Sequence, residues 1–74
     1  MITAAQVKAA RELLGWTREK LAEEAGVAKS VLTICERGEE RLSDEVIDAI
    51  QDALEKGGVE FPDKETVTLK LLPS

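Results

Sequence analysis

From Val7 to Leu54 the apolar residues recur at helical spacing, and after that the period changes. Thr3 followed by Gln6 has the form of a capping box, and Val7, Ala10, Leu13 and Leu14 make the stripe of a first helix that Gly15 ends. Thr17 caps a second helix, with Glu19 suited to its positive end, Leu21, Ala22 and Ala25 inward, and Gly26 as the stop. A third helix is predicted from about residue 28 to residue 37, with Val31, Leu32 and Cys35 inward and Gly38 as terminator. Ser43, aided by Asp44 and Glu45, opens a fourth, whose stripe is Val46, Ile47, Ile50 and Leu54 and which Gly57-Gly58 closes. Beyond it, Val59-Glu60-Phe61 is a short extended piece and Pro62-Asp63-Lys64-Glu65 is turn-like. Residues 66–71 alternate polar and apolar, with Val67, Leu69 and Leu71 on one face, as in a half-buried strand.

The predicted fold is therefore mainly α, four helices with a short C-terminal β-hairpin or strand. Residues 1–58 form the helical domain, and residues 59–74 are an extension of it. Within this order the joint Ala25-Gly26-Val27 stands out. Gly26 can take a positive φ without a Cβ penalty, so the chain can turn sharply there. Ala22 is small where the third helix must cross the second, and Leu21, Val27, Leu32 and Cys35 supply a shared core. These features describe a helix-turn-helix, whose second member is shaped for the major groove of DNA. Its solvent side would carry Lys29, Ser30, Thr33, Ile34 and Arg37.

Composition narrows the chemistry. At 74 residues the chain is one small domain, with 43% apolar and 34% charged residues. It has no His and no Tyr, so Cys35, Ser30, Ser43 and Ser74 lack the usual base partner and no enzyme activity is expected. One cysteine allows neither an internal disulfide nor a metal cluster, and no cofactor is called for. The opening residues lack a signal-peptide pattern and no apolar run is long enough to span a membrane, so a cytoplasmic setting is expected. The net charge of −5 first argues against an anionic partner, but residues 1–41 balance seven basic with seven acidic side chains. The excess of acid lies in residues 42–74, so DNA would meet the first half.

The run Trp16-Thr17-Arg18-Glu19-Lys20-Leu21-Ala22-Glu23-Glu24-Ala25-Gly26-Val27, continuing to Glu36-Arg37-Gly38, resembles the phage repressor/Cro and xenobiotic-response-element-like helix-turn-helix family. The resemblance implies a transcriptional regulator that binds operator DNA, usually as a dimer, with no small-molecule effector evident. Arg18, at the start of the second helix, and Arg41, after Gly38, are candidate phosphate contacts, and the resemblance has Glu36 pair with a basic residue inside the fold. This chain departs from the family at four places. Arg18 stands where a Gln commonly opens the second helix, and Ala28 where a Ser or Thr caps the third. Val31-Leu32 replaces Thr-Ile, and Cys35 replaces Leu. The tail offers Val59, Phe61, Val67, Leu69 and Leu71 as a dimer face, or it only closes the domain. A protein–protein module on the same scaffold, an adaptor or antitoxin-like partner binding through the acidic half, is the alternative function.

Overall fold

Three of the helices begin where a hydroxyl closes the first turn. The structure, a computed structural model, describes residues 2–38, 42–63 and 65–69. Helix α1 (Ala4–Leu14) starts at Thr3, whose Oγ1 accepts from the Gln6 amide at 3.2 Å. Helix α2 (Arg18–Ala25) starts at Thr17, which accepts from the Lys20 amide at 3.0 Å. Helix α4 (Asp44–Lys56) starts at Ser43, which accepts from the Val46 amide at 3.4 Å. Helix α3 (Lys29–Arg37) opens on Ala28 with no side-chain cap. A missing hydroxyl cap costs about 1 kcal/mol, so α3 depends on packing to stay helical.

The helices close on one core. Val7, Leu21, Leu32, Ile50 and Leu54 are fully buried, with Ala10, Ala22, Cys35, Ile47 and Ala53 filling between them. Helix α2 packs on α3 and α4, while α1 crosses α3 and α4. Small residues at positions 22 and 53 allow these close approaches. Two expectations of the inward stripes do not hold. Leu13 is 44% exposed, because α1 turns only the Val7–Ala10 side to the core and position 13 lies at the edge of that stripe. Val31 is half-buried but is not packed on the core, which Leu32 and Cys35 fill from α3.

After α4 come strand β1 (Val59–Glu60) and strand β2 (Thr68–Leu69), which pair antiparallel with Val59 opposite Leu69 and Glu60 opposite Thr68. The predicted hairpin is therefore present, shorter in its described part than the alternation of residues 66–71. Val59 is 2% exposed, so its side chain is taken up by the protomer itself. Phe61 and Val67 are half-buried against the core, and Leu69 is 48% exposed. Leu71 and Arg41 lie outside the described residues.

A buried amide adds hydrogen bonds between this hairpin and the helices. Gln6 completes the capping box by accepting from the Thr3 amide at 2.9 Å. Its Nε2 donates to the carbonyl oxygens of Asp63, at 2.6 Å, and Thr66, at 3.1 Å. The turn itself is held by the Asp63 carboxylate, which accepts from the Glu65 amide and from the amide and hydroxyl of Thr66. The Glu65 amide, then the Thr66 hydroxyl and amide, hold the Asp63 carboxyl below the usual carboxylate range. A carboxylate depressed in the folded state stabilises above its unfolded pKa, about 3.9 for Asp, and that contribution is lost as pH falls through the lower folded value. The Glu65 and Thr66 amide resonances should therefore titrate together, with a midpoint below that of a free aspartate. Asp63→Asn should abolish the titration. A midpoint at or above the free value would contradict the turn geometry.

Candidate nucleic-acid interface

The joint between α2 and α3 sets the direction of α3. Gly26 has φ of +71°, and its amide donates to the carbonyls of Ala22 and Glu23. A Cβ at Gly26 would meet nothing within 4 Å, so the dihedral, and not space, requires glycine there. The Val27 amide follows, donating to the Ala22 carbonyl at 3.0 Å. These bonds satisfy carbonyls left open at the end of α2.

With 3.6 residues per turn, Ser30, Thr33, Ile34 and Arg37 fall within about 50° of the direction opposite Leu32 and Cys35, and Lys29 flanks them. Lys29, Ser30 and Arg37 are exposed, and Thr33 and Ile34 are half-buried. The structure thus brings five of the expected site residues onto one side of α3. Lys29 Nζ lies 3.0 Å from Glu19 Oε1, with the two side chains 56% and 75% exposed. The Thr33 hydroxyl donates back to the Lys29 carbonyl at 3.4 Å. Nearby, Lys20 Nζ sits 5.9 Å from the centre of the Trp16 ring, which also packs against the core.

Behind this face lies a buried ionic cluster. Glu36, with its side chain 2% exposed, receives Arg11 Nε on Oε2 at 2.9 Å and Arg11 Nη2 on Oε1 at 3.1 Å. Arg11 Nη1 donates to the Trp16 carbonyl at 2.8 Å. Arg18 Nε approaches Glu36 Oε1 at 3.4 Å, and its side chain is 41% exposed. Arg11 makes the paired, fork-shaped contact, and Arg18 is the outer member. The cluster ties α1, the start of α2 and the end of α3 into one unit. The sequence reading gave Glu36 a basic partner but did not name Arg11. The available signal was a lone cation on the α1 stripe, between Val7 and Leu14. Glu19 was read only as a helix-end charge, and its pairing with Lys29 was missed.

Burial pushes the Cys35 thiol up, and the neighbouring Glu36 carboxylate adds to the shift. The residue therefore serves as a small apolar side chain and holds no thiolate near neutral pH. Among the described residues no group of His, Cys, Asp or Glu could hold a metal ion, and no helix is long and apolar enough to cross a membrane.

A family model described as helix-turn-helix matches residues 7–61, from the first turns of α1 to the end of the first strand. No curated protein matches the chain. The helices from α2 to α4, most of α1, the glycine joint at position 26 and the outward face of α3 lie within the matched span, and the chain belongs to the Cro/repressor-type, xenobiotic-response-element-like helix-turn-helix family of DNA-binding regulators.

Proposed function

We propose that the protein regulates transcription by laying α3 in the major groove of an operator, with Lys29, Ser30, Thr33 and Ile34 at the base edges and Arg18, Arg37 and Arg41 at phosphates. The observation that carries this reading is the outward face of α3, held in direction by the Gly26 turn and the Glu36 cluster. Lys29 and Arg18 both have carboxylate partners on this surface. The Lys29–Glu19 pair is exposed, and such pairs are worth about 0–1 kcal/mol, so a phosphate can displace Glu19. Arg18 loses little on leaving Glu36, because Arg11 keeps both carboxylate oxygens. Arg18 also stands at the start of α2, where unpaired amides favour an anion.

Binding to labelled genomic fragments, measured by fluorescence anisotropy across a salt series, tests the reading. Affinity should fall steeply with salt, as phosphate contacts require. Arg18→Ala should weaken binding to all sequences alike and reduce the salt slope by about one. Lys29→Ala and Thr33→Ala should each lower specific affinity about tenfold with folding intact. Salt-independent binding, or variants without effect, would instead favour a protein partner on the acidic surface of α4, where Asp44, Glu45, Asp48, Asp52 and Glu55 are all exposed.

A single small domain makes few contacts, and two copies about 34 Å apart would double them. Leu69, with Phe61 and Val67, is the surface we assign to that pairing, through the outer edge of β2. Leu69→Asp is the cleanest probe, because deleting residues from 66 onward would remove an acceptor of Gln6 as well. Sedimentation should give a dimer for the natural chain at about 100 μM and a monomer for Leu69→Asp, with Kd weakened at least tenfold. A natural chain that sediments as a monomer would remove the dimer from the account.

A further inference from the structure

The base-reading face of α3 is unusual in what it can offer to a base edge. Bidentate readout of guanine uses Arg or Lys, and that of adenine uses Asn or Gln. No Asn or Gln lies in α3, and its two cations stand at its ends, Lys29 in an exposed pair with Glu19 at 3.0 Å and Arg37 in the last turn. Thr33 gives its hydroxyl hydrogen to the Lys29 carbonyl, which leaves it an acceptor oxygen and a methyl. Beside it, Ile34 is half-buried yet is not among the apolar residues packed on the core. A β-branched aliphatic side chain thus stands one turn beyond Ser30, on the side turned away from Leu32 and Cys35. An apolar group so placed has one complementary feature in the major groove, the C5-methyl of thymine.

We propose that Ile34 makes the protein a reader of thymine through its C5-methyl. This rests on the groove-binding reading above and deepens it by naming the base. Burying one methyl against another apolar group gives an effect of about fourfold in affinity, the worth of one CH₂. Uracil differs from thymine only in lacking that methyl, so the swap isolates the contact and leaves every hydrogen bond of the base pair in place.

The experiment selects a preferred site from a randomised duplex pool and remakes it with each thymine replaced singly by uracil. For the natural protein, at least one replacement in each half-site should weaken binding about fourfold. For Ile34→Ala, checked for an unchanged melting temperature, the same replacement should have no effect while the salt slope stays the same. The thymine-to-uracil comparison needs no variant, so it decides the matter even if Ile34→Ala folds poorly. A preferred site that lacks thymine, or one indifferent to uracil, overturns this proposal and leaves groove binding standing. A sensitivity to uracil that survives in a folded Ile34→Ala overturns it too. A pool that yields no enriched sequence removes the groove reading and the proposal together.

Discussion

Glu36→Ala is expected to cost about 3–5 kcal/mol, the toll of leaving a buried charge without its partner. A domain of this length has a total stability of only about 4–11 kcal/mol, so the variant should be largely unfolded on mild warming. The charge left behind is Arg11, whose side chain is 14% exposed and whose fork spans both Glu36 oxygens. Its remaining bond to the Trp16 carbonyl cannot replace a carboxylate. Removing both ends together should be far milder, since a buried ion pair replaced by apolar groups is often neutral. Arg11→Met with Glu36→Leu should therefore recover most of the loss, in a double-mutant cycle read by urea unfolding. If Glu36→Ala alone melts like the natural chain, the cluster does not hold the fold together.

Gly57→Ala tests the other end of the core. Gly57 has φ of −75° and an α-helical conformation, so on backbone grounds alanine would be favoured by about 0.4–1 kcal/mol. Packing opposes this. A Cβ there would lie 2.8 Å from Trp16 Cη2 and 2.9 Å from both Trp16 Cζ2 and Leu14 Cδ1. The indole is rigid, so the ring must move as a whole, and overpacking of this kind costs about 1–3 kcal/mol. The second effect is the larger, and the variant should be less stable than the natural chain. Trp16 is the single tryptophan, so its fluorescence should report the displacement directly as a red shift. A more stable variant with unchanged emission would show that the ring does not rest on α4.

These two predictions concern contacts that no local reading of the chain could supply. The helices were legible because their boundaries are local: Thr3, Thr17 and Ser43 each cap within three residues, and Gly15, Gly26 and Gly38 follow the last turns. Periodicity also gave the outward residues of α3, since a helix fixes which side chains oppose Leu32 and Cys35. It could not give the width of a buried stripe, which neighbouring elements decide. That is why Leu13 and Val31 were placed too far inward. The hairpin was legible as alternation, but not its bonds from Gln6, which reaches acceptors 57 and 60 residues away. The same holds for the charges of the site. Arg11 meets Glu36 across 25 residues, and Lys29 meets Glu19 across 10, so their partners follow only from the packing of the helices.

The most direct test of the nucleic-acid surface is a map of amide resonances during titration with a duplex of about 20 base pairs, long enough for two half-sites one helical turn apart. The largest changes should fall on Lys29, Ser30, Thr33, Ile34 and Arg37, with a second group at Thr17 and Arg18 at the start of α2. The exposed acidic side of α4, at Asp48, Asp52 and Glu55, should not move. Changes confined to α4 and the hairpin, or no changes at saturating duplex, would contradict the account.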